Sequence, residues 1–261
     1  MPYFRASDDP GTNFPDLLRR LGLVGPAGSG ALDTSLLPHA TTCVALRFAD
    51  GVVMAGDRRA TAGNLISHRA MEKVVETDRH SGVAFAGAAG PAMEMMRLFQ
   101  LQLEHYEKVE GMPLSLEGKA NQLSTMIRSN LPAAMTGMVV VPIFGGYDVR
   151  RETGRLWDYD VTGGRYEEKD FVATGSGSLH AGTVIKVGYS PSLDADAAID
   201  LACRALWEAA DADSATGGPD VLRGLYPVVA RITAEGFTRV DDDDLARRYE
   251  EIAANVRGRS S

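Results

Sequence analysis

Thr41 and Thr42 stand where the character of the chain changes. Before them, residues 1–40 are rich in Gly, Pro, Ser and Asp and hold no sustained hydrophobic period. That is the pattern of a weakly ordered leader, in which only residues 16–23 could form a short helix. After them a β-rich apolar run begins at once. A cut before Thr41 would put a hydroxyl and a free α-amine on one residue. An α-amine has a pKa of about 8, so near neutrality part of it is uncharged and able to take a proton. Nucleophile and base would then share a residue, and no histidine would be needed. Spacing alone equally allows the two threonines to be ordinary β-branched strand residues.

Other chemistries find no frame. Gly175-Ser176-Gly177 is not the Gly-x-Ser-x-Gly elbow of a hydrolase. None of the five histidines pairs at metal-ligand spacing, and no phosphate-binding loop of the P-loop type occurs. Cys43 and Cys203 lie far apart in apolar stretches and belong to no Cys-x-x-Cys pair, which reads as core packing. No metal or cofactor is therefore expected. With 261 residues, 44% hydrophobic and 24% charged, the chain has the composition of a soluble globular protein with a sizeable core. A formal net charge of -8 and the lack of a long basic run argue against nucleic-acid binding. No apolar run approaches the ~18 residues of a membrane helix. Arg19-Arg20 ahead of residues 21–32 resembles a twin-arginine export signal. Gly22, Gly25, Pro26, Gly28 and Gly30 break its apolar segment, so a cytoplasmic protein is expected.

The elements that must position Thr41 can be read from periodicity. Residues 42–48 form a strand, residues 49–51 a turn with the Asp-Gly hairpin signature, and residues 52–56 the returning strand. Residues 73–76 and 83–86 read as further strands. Pro91 opens a helix over 91–110 whose apolar face is Met93, Met96, Phe99 and Leu103, with the methionines filling core. A second helix spans 115–131, capped by Ser115 and carrying Leu123, Met126 and Ile127 at helical spacing. Strands follow at 138–144, 156–159 and 170–173, and Gly175-Ser-Gly-Ser178 ends the last and opens a helix. An amphipathic helix covers 194–212. A hairpin joins 226–232 to 237–240 around Glu235-Gly236, and the acids at 241–244 start a C-terminal helix reaching about Val256. Strands grouped with strands and helices with helices predict a layered α+β domain.

Several segments, in order, resemble the proteasome β subunit family, most of all its actinobacterial 20S members. His39-Ala-Thr-Thr-Cys-Val-Ala-Leu46 resembles the junction at which its precursors are cut, and Gly51-Val-Val-Met-Ala-Gly-Asp57-Arg-Arg-Ala60 its aspartate-bearing strand. Leu103-Glu-His-Tyr-Glu-Lys-Val-Glu-Gly111, Gly175-Ser-Gly-Ser178 and Asp211-Ala-Asp-Ser-Ala-Thr-Gly-Gly-Pro-Asp220 complete the set. The resemblance covers residues 39–256 and implies a threonine endopeptidase with a four-layer αββα sandwich of the N-terminal nucleophile hydrolase type. It implies a propeptide at 1–40, removed by cleavage between Ala40 and Thr41, and a catalytic domain at 41–261 with a short C-terminal tail.

By the same resemblance Thr41 is the nucleophile, and Lys73 beside Asp57 supplies an activating charge. Gly87 gives an oxyanion-hole N–H, and Ser176, Asp213 and Thr216 support the α-amine. Ala60, Thr61, Met71, Val75, Phe85, Ala89 and Met93 would line the substrate pocket. The implied partners are other β subunits in a heptameric ring, proteasome α subunits in a twenty-eight-subunit core, an ATPase unfoldase acting through the α ring, and protein substrates, with neither nucleic acid nor membrane. The helices at 91–110 and 115–131, with broad apolar stripes, are expected to make ring contacts. Three positions depart from the family pattern: Ala40 replaces the usual Gly, Cys43 a β-branched aliphatic, and Thr216 the common Ser. Two other readings share parts of the pattern, a simple two-ring peptidase that works directly with an unfoldase and a ring subunit that is never processed. The leader and the segments at 103–111 and 211–220 speak against the first, and the intact Thr, Asp and Lys set against the second.

Overall fold

The computed structural model describes residues 41–62 and 65–259. The short helix expected at 16–23 and the leader itself lie outside the described residues.

Alternation of side chains along the strands explains why so many of them are apolar throughout. Strand β1 (Thr42–Phe48) sends Val44, Leu46 and Phe48 to one face and Cys43 and Ala45 to the other, and both faces are buried. It pairs with β2 (Gly51–Gly56) through the tight turn at 49–50 and on its other side with β10 (Phe171–Gly175). Strands β11 (Val228–Thr233) and β12 (Gly236–Arg239) complete an antiparallel sheet of order β10-β1-β2-β11-β12. The second sheet, β5-β6-β7-β8-β9, is built from β5 (Val74–Asp78), β6 (Ser81–Gly87), β7 (Val140–Asp148), β8 (Thr153–Tyr159) and β9 (Arg165–Glu168). Strands β3 (Ala60–Ala62) and β4 (Leu65–His68) form a separate hairpin.

Three clusters hold these layers. Cys43, Ala45, Val52, Met54, Ala84, Ile143 and Leu156 fill the space between the sheets. Helices α1 (Ala89–Glu110) and α2 (Leu116–Ser129) cover the second sheet through Phe99, Leu103, Leu123, Ile127, Phe144 and Trp157. Beyond the short helix α3 (Leu131–Ala134), helices α4 (Ser178–Gly188), α5 (Ala195–Ala212) and α6 (Asp242–Arg259) cover the first sheet. The result is the expected αββα sandwich. The expected Ser115 cap forms, its Oγ accepting from the Gly118 N–H, and Gly111 closes α1 in the left-handed region; Asp194, read as the first helical residue, instead caps α5 by accepting from the Ala197 N–H.

Strand ends shift by up to four residues and α1 begins at Ala89, ahead of Pro91; four larger details also differ from the sequence expectation. Strands β3, β4 and β9 and helix α3 were not expected; all are three or four residues long, too short to show a period. Helix α2 ends at Ser129, not at 131. The apolar stripe of α1 is rotated: Ala92, Met95, Met96, Phe99 and Leu103 are buried, while Met93 is 44% exposed. The C-terminal helix runs on to Arg259, held to α5 by Arg248, whose guanidinium donates to Asp196, Asp200 and Asp244. Among the described residues no helix is long and apolar enough to cross a membrane.

Candidate active site

The peptide unit between Thr41 and Thr42 is clamped on both edges. Its carbonyl accepts from the Ser176 N–H at 2.9 Å, and its N–H donates to Asp57 Oδ1 at 2.9 Å. The first bond depends on Gly175, where β10 ends with a φ of 98°. A Cβ there would stand 1.8 Å from the Thr41 carbonyl oxygen, so only glycine lets the two backbones meet.

On one side of this unit lies a buried ion pair. Asp57 follows β2 directly and Lys73 precedes β5, and they are 0% and 1% exposed. Without the family they would read as surface residues; here Lys73 Nζ donates to Asp57 Oδ1 at 2.7 Å and to the Arg59 carbonyl at 2.5 Å. The other Asp57 oxygen accepts from the backbone N–H groups of Arg59 at 2.8 Å and Gly217 at 2.9 Å. The carboxylate thus takes four donors, two on each oxygen, as burial of such a charge demands. Lys73 is held from the sheet side as well: its carbonyl accepts from the Phe85 N–H at 3.0 Å, and the Phe85 carbonyl takes the Cys43 thiol at 3.4 Å.

On the other side lies a hydroxyl and carboxylate cluster. Ser176 Oγ donates to Asp213 Oδ2 at 2.5 Å and also reaches the Thr41 carbonyl oxygen at 3.4 Å. Thr216 Oγ1 donates to the same Asp213 oxygen at 2.6 Å. Burial raises the Asp213 pKa, but the hydrogen bonds from Ser176 and Thr216 outweigh it and leave the carboxyl below its ordinary range. Ser176 does not cap α4: the cap position is Gly177, without a side-chain bond.

The sequence-predicted residues Thr41, Asp57, Lys73, Ser176, Asp213 and Thr216 therefore fall in one connected network. Gly87 stands at the end of β6, with a φ of 105° and no room for a side chain, since a Cβ would lie 2.1 Å from the Val139 carbonyl oxygen. Gly87 lies two residues along β6 from Phe85, whose N–H donates to the Lys73 carbonyl. Of the expected pocket residues, Phe85 is buried in the cluster under α1 and α2, with Val75 packed against it. Ala60 and Thr61 are buried beside Asp57 in sequence, Met71 and Ala89 are half-buried, and Met93 faces outward. Sequence reasoning gave no role to Thr42, Arg59, Gly177 or Gly217. All four lie inside segments already singled out, but they act through backbone groups or a buried hydroxyl, which residue type does not reveal.

A sandwich of two antiparallel sheets between helices, with a threonine at the start of its first strand beside a buried lysine–aspartate pair, defines the N-terminal nucleophile hydrolase class. A family profile described as "Proteasome subunit" matches residues 37–222. Relatives named "Proteasome subunit beta" include one from Acidimicrobium ferrooxidans, 56% identical over 98% of this chain and 93% of its own. Another from Streptomyces griseus is 55% identical over 88% of this chain and 80% of its own, and one from Jonesia denitrificans is 51% identical over 94% and 82%. The chain belongs to the proteasome subunit family, in its endopeptidase β branch.

Proposed function

We propose that this chain is made as a precursor, is cut between Ala40 and Thr41, and then hydrolyses peptide bonds with Thr41 Oγ as the nucleophile. The observation that carries the reading is the clamp on the Thr41–Thr42 peptide unit. Held at both edges, that unit ties Thr41 to the Lys73–Asp57 pair through the Thr42 N–H and to the Ser176 turn through its own carbonyl, which supports Thr41 as the residue both halves serve. Lys73 supplies a positive charge that favours the alkoxide-like nucleophile, and Asp57 fixes where that charge sits. The freed α-amine passes the hydroxyl proton to the leaving group, with Ser176, Asp213 and Thr216 orienting it. The Gly87 N–H takes the developing oxyanion, a contribution of about 3–4 kcal/mol for one donor in other hydrolases. Ala60, Thr61, Met71, Val75, Phe85, Ala89 and Met93 form the mainly apolar wall for the residue before the cut bond, with Phe85 as its buried floor.

The particle in which this happens is a twenty-eight-subunit core, two heptameric β rings between two α rings, fed by an ATPase unfoldase through the α ring and located in the cytoplasm. The exposed face of α1 supports ring contact: Leu98, Leu101, Tyr106 and Val109 are all exposed there. Enclosure keeps an unselective nucleophile away from bystander proteins.

The test is co-expression with an α partner, then N-terminal sequencing and peptide hydrolysis by the purified particle. The chain is expected to begin at Thr41 and to cut after Leu or Tyr faster than after Arg or Asp. Thr41→Ala is expected to assemble but remain silent. An active particle that still carries Ala40 would overturn the mechanism, because its α-amine would be locked in a peptide bond.

A further inference from the structure

Thr42 follows the nucleophile, is 0% exposed, and hydrogen-bonds to both halves of the site. Its backbone N–H donates to Asp57 Oδ1 at 2.9 Å. Its hydroxyl lies 2.6 Å from that of Thr216 and 3.0 Å from the Gly177 N–H. The direction of these bonds follows from counting protons. An ionised Asp213 can only accept, so the single hydroxyl proton of Thr216 goes to its Oδ2. The contact between the two threonines must then be made by the Thr42 proton, and the Thr42 oxygen accepts from Gly177. A one-way chain results: Gly177 N–H to Thr42 O–H to Thr216 O–H to Asp213. The fold leaves space for it, since a Cβ on Gly177 would stand 2.5 Å from Thr42 Oγ1 and 2.8 Å from Thr216 Oγ1.

We propose that Thr42 is a positioning residue whose hydroxyl orients Thr216, Asp213 and the Ser176–Gly177 turn against Thr41, coupling them to the Asp57–Lys73 pair through its own backbone. The proposal rests on Thr41 being the nucleophile. Valine at position 42 would keep the shape but strand a buried N–H on Gly177 and a lone pair on Thr216. Serine would keep the hydroxyl and lose only a methyl group. A packing role and a hydroxyl role thus predict opposite rank orders.

The test uses the full particle, co-expressed with an α partner. Intact mass reports processing, and a covalent active-site inhibitor counts competent sites. Thr42→Val is expected to lower kcat per site by at least about tenfold with KM within about twofold, while Thr42→Ser stays within about threefold of wild type. Because the two hydroxyls act as one chain, adding Thr216→Val to Thr42→Val should cost less than about threefold more. Valine as active as serine, or effects of the two valines that multiply, would overturn the proposal. If Thr42→Val does not assemble, Thr42→Ser decides alone: an assembled serine variant that loses more than about tenfold refutes the hydroxyl role. A Thr41→Ala particle run beside these separates the two claims. If it hydrolyses peptide as well as wild type does, the nucleophile assignment falls and this proposal with it.

Discussion

The buried Asp57 carboxylate offers the sharpest quantitative test. Asp57→Asn changes no volume, yet the hydrogen-bond pattern cannot survive it. Each Asp57 oxygen accepts two donors: Thr42 N–H and Lys73 Nζ on Oδ1, Arg59 N–H and Gly217 N–H on Oδ2. An asparagine has one acceptor and one NH2 group, so in either orientation two donors face another donor. Two buried donors left unsatisfied cost about 1–3 kcal/mol each. Removing the countercharge of a lysine that is 1% exposed costs about 3–5 kcal/mol by itself. The two costs overlap, so the expected destabilisation is about 3–6 kcal/mol, a large part of the ~5–15 kcal/mol that holds a typical domain. Urea unfolding of the singly expressed precursor reads it directly. Displacement of the Lys73 charge should also lower kcat/KM of the co-expressed particle by about a thousandfold, the equivalent of ~4 kcal/mol. Adding Lys73→Met to Asp57→Asn should restore part of the stability but none of the activity, because it removes the uncompensated cation. An asparagine variant within about 1 kcal/mol of wild-type stability and threefold of its activity would refute the reasoning.

Two further outcomes follow from local geometry. Gly175→Ala forces a side chain against the Thr41 carbonyl at a φ of 98°, so the particle should show neither processing by intact mass nor peptide hydrolysis; Gly224→Ala, with a φ of 62° and nothing within 4 Å of the added Cβ, should cost only modest backbone strain. A processed, active Gly175→Ala particle would show that the close approach is not needed. Burial pushes the thiols of Cys43 and Cys203 up to about 12, and the nearby Lys73 lowers that of Cys43 only in part. Neither is therefore thiolate near neutral pH, and an aromatic disulfide reagent should label them only after urea unfolds the chain; rapid labelling of the folded protein would contradict the packing described.

Residue pattern alone determined most of the layers. The run from Thr42 to Phe48, the Asp50-Gly51 turn, the Ser115 cap and the amphipathic α5 are local signals, and each element forms near where its signal lies. The misses were short or depended on tertiary burial: three- and four-residue strands carry no period, and the face of α1 that points inward is set by what it packs against, which left Met93 outside. For the site, the order of motifs singled out Thr41, Asp57, Lys73, Ser176, Asp213 and Thr216, but only as family positions. Their chemistry depends on burial and on backbone donors. An aspartate after β2 and a lysine before β5 become a dry ion pair only because two sheets close over them, and the Arg59 and Gly217 N–H groups reach the same carboxylate only in the folded chain. Thr42 is the clearest case. In sequence it is one more β-branched residue at a strand start, whereas in the fold its amide and hydroxyl face opposite halves of the site. Residues 15 and 174 positions away must be brought within hydrogen-bond reach before that second role exists, because a hydrogen bond is decided by a few tenths of an ångström that no spacing along the chain encodes.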